Sequence, residues 1–228
     1  MPDHVHIMFQ VLKRTSLCLG QYISALKTSI YQSYSQKIGG KLPKEYIFEA
    51  GFCDKPLFYN RKLKTLINYV KQNPHRLAMR QQYPHFFKRS RNIEIAGKTY
   101  EAYGNLFLLR NPDKMQVQIH RDTTPSQLEG IREMCIEEGF KHTVMVSPFI
   151  SPTEKDLRKQ IEATGAPIIL ICHEAFGERF KPAEHNFKLC SEGRLLIISL
   201  GMPAGTSLSR AICVEMNKLA NKLSDLAG

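Results

Sequence analysis

The chain has 228 residues, 43% of them hydrophobic, and a formal net charge of +11 at pH 7. That length allows one large or two modest domains, each able to bury a core. No apolar run approaches the ~20 residues that a membrane-spanning helix needs. The first residues lack the basic segment and apolar stretch of a signal peptide. We therefore expect a cytoplasmic protein with no membrane partner.

The six cysteines are scattered along the chain with no CxxC pair. They are expected to be reduced thiols packed as small hydrophobic side chains, because a disulfide framework or a zinc site would show a closer, regular spacing. The cysteines are Cys18, Cys53, Cys135, Cys172, Cys190 and Cys213.

The positive charge is confined to the first part of the chain. Residues 1–92 hold 16 Lys+Arg against 4 Asp+Glu, whereas residues 93–228 hold 16 against 17. Such an asymmetry is typical of a polyanion partner, and it favours two domains, 1–92 and 93–228. Aromatic residues interleaved with the basic ones could stack on unpaired bases, although some of them must belong to the core.

The first predicted element is a short apolar strand over residues 4–11, which begins with His4-Val5-His6. Alternate residues of a strand point to one face, so this strand would aim both imidazoles at one point. Two neutral imidazoles in that arrangement can hold a divalent ion. A pair of this kind taken alone is more often accidental than functional.

Two helices are predicted in the rest of the basic half. The first covers residues 16–38, carries Lys27 and ends at Gly39-Gly40. After a predicted strand over 46–52, a second helix runs from residue 60 to about residue 72. Tyr69 lies off the centre of its apolar stripe and shares a face with Asn73, one turn later. Pro74 disfavours helical geometry at Asn73, so Asn73 is expected at the helix end, where its structural role would be that of a helix C-cap.

Three segments of this half resemble the HUH family of single-strand DNA endonucleases. They are residues 1–9 with the His pair, residues 52–58 (Phe-Cys-Asp-Lys-Pro-Leu-Phe) and residues 67–74 (Ile-Asn-Tyr-Val-Lys-Gln-Asn-Pro). More narrowly, these segments look like the tyrosine transposases associated with repetitive extragenic palindromes. The resemblance implies an α+β, ferredoxin-like nuclease domain that acts on single-stranded or hairpin DNA.

The same resemblance implies roles for particular residues. His4, His6 and Asn73 would hold Mg²⁺ or Mn²⁺, and Tyr69 would attack the scissile phosphate to leave a 5′-phosphotyrosyl link. Lys27 corresponds to a lysine that faces DNA in the family, and a solvated lysine is the alternative. From charge alone, further contacts to the DNA backbone are expected from Lys62, Lys71 and Arg76.

The chain departs from the family pattern at its start. Family members place the His pair on an interior strand that several tens of residues precede, whereas this sequence begins at the motif. Three explanations are open: a start codon assigned too late, a truncated coding sequence, or missing strands that are supplied in another way. A truncated domain would have an incomplete sheet with an open strand edge. We expect the polypeptide that starts at Met1 to be weakly active or inactive.

The second half shows the alternation of apolar strands and helices that is typical of an α/β layer with a parallel sheet. Strands are predicted at 143–146, 167–172 and 194–200, and helices over 152–165 and 207–223. The 151–154 segment, Ser-Pro-Thr-Glu, is a capping box with proline at the first helical position.

The turn over 147–154 is the predicted anion or nucleotide site of this half. It follows a strand and opens a helix, and Ser147, Ser151 and Thr153 offer donors together with the free backbone N–H groups. The alternative is a plain, well-capped helix, because the turn lacks the glycines of a phosphate loop. Residues 147–194 loosely resemble the Rossmann-like fold of DNA-processing protein A.

The sequence thus predicts a metal-dependent tyrosine transposase or single-strand DNA endonuclease fused to a Rossmann-like accessory domain. One alternative is a catalytically inactive remnant that binds nucleic acid. A second alternative is a nucleotide sensor that uses the α/β domain. Four further polar residues of the second half fit no metal-ligand spacing and are expected to be loop and surface residues. They are His173, Glu174, His185 and Glu192.

Overall fold

A computed structural model describes residues 5, 7–10, 12–40, 47–52, 63–178 and 180–225, without the side chains of Thr65 and Tyr69. The chain divides into two compact units, Met1–Asn73 and Pro74–Gly228. The division therefore lies earlier than the predicted boundary at residue 92. The reason is that residue 92 lies within a strand, Lys88–Ile95, which belongs to the sheet of the second unit.

Unit 1 contains helix α1, Leu19–Ile38. Its first turn is closed by Gln21, whose side-chain oxygen accepts from the Cys18 N–H at 2.8 Å. It ends at Gly39, which adopts the left-handed conformation at φ 71°. Two predicted strands differ from the structure. Residues 47–52 and the described part of 4–11 (5 and 7–10) are not in strands, and the carbonyls of Glu49 and Gly51 instead accept from a lysine of α1.

Helix α2 runs from Leu63 to Gln82, nearly three turns beyond the predicted end near residue 72. Pro74 lies inside it. A proline removes one N–H from the helical ladder but leaves the helical φ accessible, so the helix passes through at a cost and is not obliged to end. Asn73 is therefore within the helix and is not a C-cap.

Unit 2 begins, after α2 and a 3-10 helix at Pro84–Phe87, with a hairpin of strands β1 (Lys88–Ile95) and β2 (Lys98–Gly104). The two residues that join the strands, Ala96 and Gly97, both have positive φ, 48° and 74°. This is the turn geometry that matches the twist of antiparallel strands. The hairpin lay outside the predicted elements.

The sheet of unit 2 is mixed. Its order is β1-β2-β6-β5-β4-β3, where β3 is Lys114–Gln116, β4 Val144–Ser147, β5 Ile168–Glu174 and β6 Leu195–Met202. Strands β3 to β6 are parallel, as predicted for the α/β layer, whereas β2 joins β6 antiparallel, with Glu101 opposite Ser199. The fold of this unit is α/β.

Helices cover both faces of this sheet. Helices α3 (Pro125–Phe140), α4 (Pro152–Ala163) and α5 (Glu184–Ser191) contribute to one apolar cluster with one set of strand residues, including Ile168 and Leu195. Helix α6 (Arg210–Asp225) belongs to the other cluster, with the alternate strand residues Ile169 and Leu196. Successive side chains of a strand point to opposite faces of the sheet, so the same strands contribute to both apolar clusters. In the described part of the chain, no helix has the length and apolar character needed to cross a membrane.

Candidate functional site

Helix α2 carries the predicted nucleophile and the predicted metal ligand one turn apart. Tyr69 lies in the helix, but its side chain is outside the description, and Asn73 follows four residues later. Asn73 is buried, with 4% of its surface exposed, and its Nδ2 has no hydrogen-bond partner among the described residues. A buried amide group without a partner costs free energy unless something satisfies it.

The orphaned amide atom of Asn73 bears on the predicted cation. The oxygen and nitrogen of a side-chain amide have nearly the same shape, so a half-turn of the group would put Oδ1 where Nδ2 lies. An amide oxygen there is a hard ligand of the kind that Mg²⁺ and Mn²⁺ accept. Asn73 therefore fits the predicted role as one ligand of a divalent ion.

The other predicted members of this site lie outside the described residues. His4, His6 and Lys62 are among them, as is Asp54, a further candidate from the sequence for a carboxylate that supports the site. Within the described residues, no group of three or more His, Cys, Asp or Glu side chains is placed to hold a metal ion. The histidine part of the predicted site accordingly stays a prediction.

Lys27 holds a loop of unit 1. Its ammonium donates to the carbonyl oxygens of Glu49, at 2.8 Å, and Gly51, and it lies 5.6 Å from the ring centre of Phe48. Two of its three N–H groups are thus used within the unit, and one remains for a ligand. The ammonium lies in a groove of about 440 Å³ between α1 and residues 48–52, which Ser24 and Tyr31 also line.

The two remaining predicted DNA contacts differ in their surroundings. Lys71 is exposed on α2 and is free to meet a phosphate. Arg76 is 5% exposed, because its guanidinium lies 4.3 Å from the ring centre of Phe187 and donates to the Pro182 carbonyl at 2.8 Å. Since this charge is committed to the interior of unit 2, Arg76 is removed from the predicted DNA surface.

The predicted anion site at 147–154 is filled by the chain itself. Glu154 is 4% exposed, and its carboxylate accepts from the N–H groups of Ile150 and Ser151 at 2.9 Å and of Ile119 at 3.1 Å. The Ser151 hydroxyl accepts from the Glu154 N–H.

The remaining groups of that turn are used in the same way. Ser147 is fully buried, and its hydroxyl accepts from the N–H of Phe149, which has a positive φ of 46°. A phosphate would have to displace a carboxylate of like charge to reach the donors. Thr153 lies in the first turn of α4. The turn is therefore the capped start of a helix. The prediction of a nucleotide site here is wrong, because Glu154 already occupies the donors.

A second arrangement lies where strands β5 and β6 end, a place that the sequence did not single out. Helix α5 follows β5 on one face of the sheet, and α6 follows β6 on the other. Ligands of open α/β sheets bind in the crevice outside the carboxyl ends of neighbouring strands whose following helices lie on opposite faces. Here His173 Nε2 lies 2.9 Å from the Thr206 carbonyl, and the Glu174 carboxylate accepts from the Gly205 N–H at 3.1 Å.

These bonds show that His173 and Glu174 join the end of β5 to the loop that follows β6. Buried Ser199 adds a further link, since its hydroxyl donates to the Glu174 carbonyl at 2.6 Å. His185 and Glu192, which the sequence grouped with them, lie elsewhere. His185 Nε2 lies 2.6 Å from Glu162, and Glu192 accepts from Arg194 at 2.9 Å. The four residues thus form loop and surface contacts and do not converge.

Comparisons with known proteins add no relative from which a role could be transferred. No protein-family model, no curated protein and no solved structure matches the chain. The features that bear on function are therefore those of the chain itself. They are the tyrosine helix with its buried Asn73 amide, the groove at Lys27 and the exposed Lys71.

Proposed function

We propose that the protein is a DNA strand-cleaving and strand-joining enzyme of the HUH tyrosine transposase kind, which acts on single-stranded or hairpin DNA. The observation that carries this proposal is helix α2, on which Tyr69 lies one turn from the buried, orphaned amide of Asn73. The second unit is proposed to be a Rossmann-like accessory domain, on the strength of its four parallel strands and covering helices.

The charge around α2 supports a DNA partner. From Lys55 to Ile93 the sequence contains no Asp or Glu. Because this stretch holds no acidic residue, phosphates can approach α2 without repulsion from neighbouring residues of the same stretch. Lys71 is exposed on α2 and can meet a phosphate of the bound strand. It lies two residues from both Tyr69 and Asn73, so it is on a different face of the helix from that pair.

In the proposed reaction, the Tyr69 oxygen attacks the phosphorus of a phosphodiester. A bond forms between that oxygen and phosphorus, and the bond from phosphorus to the 3′-oxygen breaks. The phenolic proton leaves the tyrosine, and the departing 3′-oxygen takes up a proton. A divalent ion held at Asn73 and the His pair would polarise the phosphate and stabilise the charge that develops on it.

The product is a tyrosine joined to the 5′-phosphate of one fragment and a free 3′-hydroxyl on the other. Since the phosphodiester energy is conserved in the covalent link, a second 3′-hydroxyl can attack it and join the strands without ATP. Lys71 would add affinity for either fragment, because its charge attracts the phosphates of the backbone.

The test is the covalent adduct. An end-labelled DNA hairpin incubated with Mn²⁺ and an upstream-extended form of the chain should yield a labelled protein band on a denaturing gel, while the polypeptide that starts at Met1 should give a weak band or none. Tyr69→Phe should remove this band, because the ring survives while the attacking oxygen is lost. His4→Ala, His6→Ala and EDTA on the wild type should also remove it, through loss of the ion.

Tyr34→Phe is the matched control, since Tyr34 is an exposed tyrosine of α1 in the same unit. This variant should form the adduct as the wild type does. The proposal fails if Tyr69→Phe forms the adduct in equal yield, or if the upstream-extended, metal-loaded protein forms none with any hairpin tested.

A DNA-binding protein without cleavage chemistry is the second candidate. The observation in its favour is that the acid-free stretch and the exposed Lys71 do not depend on the histidines. It predicts hairpin binding that falls steeply with salt and survives Tyr69→Phe, with no adduct under any metal. The nucleotide-sensor alternative is not proposed, because Glu154 already occupies the donors of its turn.

A further inference from the structure

Three aromatic rings form a row on the surface of unit 2. Tyr83 and Phe86 are nearly parallel, with ring centres 5.3 Å apart and planes inclined by 10°. Phe107 continues the row, with its ring centre 6.1 Å from that of Phe86. We call this row of Tyr83, Phe86 and Phe107 the aromatic row.

Short 3-10 helices set the geometry of the row. Side chains three residues apart in a 3-10 helix eclipse each other, which places Tyr83 above Phe86 at the start of Pro84–Phe87. Phe107 lies in the second such helix, Leu106–Arg110. Gly193 lies beneath, where an added Cβ would be 3.5 Å from the Phe86 ring and 3.7 Å from the Phe107 ring.

The two outer rings of the row are exposed, and Phe86 between them is half-buried against the apolar core. Tyr83 is 38% exposed and Phe107 is 48% exposed, while Phe87, the immediate neighbour of Phe86, is buried and stacks on Phe187. Of these two adjacent phenylalanines, Phe87 therefore belongs to the core and Phe86 to the aromatic row. Tyr83 and Phe86 are nearly parallel, whereas the Phe107 plane is inclined by 56° to that of Phe86. Rings already held in place by their neighbours offer stacking faces at little further cost in side-chain entropy.

The charge beside the row is positive. Residues 74–93 contain five Lys+Arg and no Asp or Glu, and Lys88 and Arg91 among them are exposed. Arg110 is exposed and lies three residues after Phe107, hence on the same side of its 3-10 helix. The nearest acid along the chain from Gly193 is Glu192, which is neutralised by Arg194 at 2.9 Å and Lys188 at 3.9 Å.

We propose that the aromatic row binds single-stranded DNA by stacking on its unpaired bases, with the phosphates held by Lys88, Arg91 and Arg110. Flat rings flanked by basic side chains are the chemistry that recognises unpaired bases without regard to sequence. The row lies in unit 2 and needs neither Tyr69 nor the His pair, so the inference goes beyond the proposed cleavage reaction and does not depend on it.

The test uses Phe107→Trp in the full chain. Because the sequence contains no tryptophan, this substitution supplies a single indole reporter on the row. Oligothymidylate of about 12 nucleotides should quench the indole emission, since a base that stacks on the ring quenches it. An abasic strand of the same length carries the same phosphates without bases and should leave the emission nearly unchanged.

Binding of a labelled strand, measured by fluorescence anisotropy, gives the second readout. The wild type should bind oligothymidylate about 10-fold more tightly than the abasic strand, and Phe107→Ala and Tyr83→Ala should each remove most of that difference. Phe140→Ala is the control, since Phe140 is 68% exposed on α3 outside the row. All three truncations are at exposed positions, so circular dichroism should report an unchanged fold.

Two results would overturn the inference. One is equal affinity of the wild type for the two strands, as expected if the row is a protein-docking surface or if binding is purely electrostatic. The other is equal quenching of Phe107→Trp by both strands. Tyr69→Phe should leave the preference for bases intact, so failure of the cleavage reaction and failure of the aromatic row are distinguished.

Discussion

At the scale of single residues, Glu154 occupies the position that a bound anion takes at comparable helix starts. Its carboxylate collects three backbone N–H groups from two segments, those of Ile119, Ile150 and Ser151. Hydrogen bonds to a charged acceptor are stronger than neutral ones, and leaving buried N–H groups without an acceptor is costly. Glu154 therefore stabilises the junction between the residues after β3 and the start of α4.

Removing Glu154 should create the anion site that the sequence predicted. Glu154→Ala should lower the free energy of unfolding by about 2–4 kcal/mol, because three N–H groups lose their acceptor. Sulfate should then recover part of this loss by binding to the freed donors. Thermal unfolding in sulfate and in chloride of equal ionic strength measures both effects.

Glu133→Ala, at an exposed position of α3, controls for the general effect of sulfate on protein stability. Wild type and Glu133→Ala should show the same small gain in sulfate, and Glu154→Ala a larger one. An equal gain in all three proteins would mean that the N–H groups do not bind an anion.

At the scale of elements, the junction of β2 and β6 depends on a close backbone approach. Gly104, the last residue of β2, has φ 115°, and a Cβ there would lie 2.4 Å from the Leu195 carbonyl oxygen. The same carbonyl accepts from the side-chain amide of Asn105 at 2.8 Å. Glycine is thus required at this position both by conformation and by space.

Gly104→Ala should destabilise unit 2 by more than about 1 kcal/mol, since it adds strain and a clash with backbone. Gly130→Ala is the matched substitution in α3, where an exposed helical glycine has open space around it. This change should stabilise the protein by about 1 kcal/mol. Urea unfolding followed by circular dichroism compares the two, and similar shifts of the midpoint for both would contradict the role of Gly104.

The elements differ in how far the sequence could predict them. Strands β4, β5 and β6 were predicted because each is a short apolar run, the signature of a strand buried on both faces. Helix α3 was missed because it buries only Cys135 and Gly139, which gives a weak apolar stripe, although its capping box at Thr124 and Gln127 was readable. The β1–β2 hairpin was missed because Ala96-Gly97 is a weaker turn signal than Asn-Gly.

The sites were predictable only where local chemistry decides them. The i, i+4 relation of Tyr69 and Asn73 follows from helix geometry and was available from the sequence. The contacts of Arg76 with Phe187 and Pro182 join residues more than 100 positions apart, and no local pattern reports them. The N–H groups of the 147–154 turn donate to the Glu154 carboxylate and are therefore not available to a bound anion. The capping box in the sequence is compatible with either acceptor, so it could not predict this.

At the scale of the whole molecule, the thiols of unit 2 make stability depend on pH. Burial raises the pKa of Cys135 and Cys172 to about 11 and of Cys190 to about 12, from an ordinary value near 9. Unfolded thiols ionise as the pH passes about 9, whereas the folded ones stay protonated. The stability that they contribute is therefore complete below about pH 9 and is lost as the pH rises towards about 11–12.

Each of these thiols should cost about 1.4 kcal/mol of stability per pH unit within that window. We expect the urea midpoint of the wild type to fall between about pH 8 and about pH 10.5, and Cys190→Ala to show a smaller fall. Cys18→Ala, which removes an exposed thiol, should follow the wild type. The same fall in Cys190→Ala as in the wild type would exclude Cys190 as a contributor.

The antiparallel pairing of β2 with β6 also has a consequence for the protein while it is being made. Glu101 faces Ser199 across this pair, so 98 residues separate the two partners along the chain. At a synthesis rate of about 5–20 residues per second, β2 emerges roughly 5–20 seconds before β6 exists. During that interval the hairpin can pair with itself, but the edge of β2 that later joins β6 stays unpaired and open to strands of other nascent chains. Synthesis of β6 thus covers this edge of β2, while β1 remains the edge strand of the sheet.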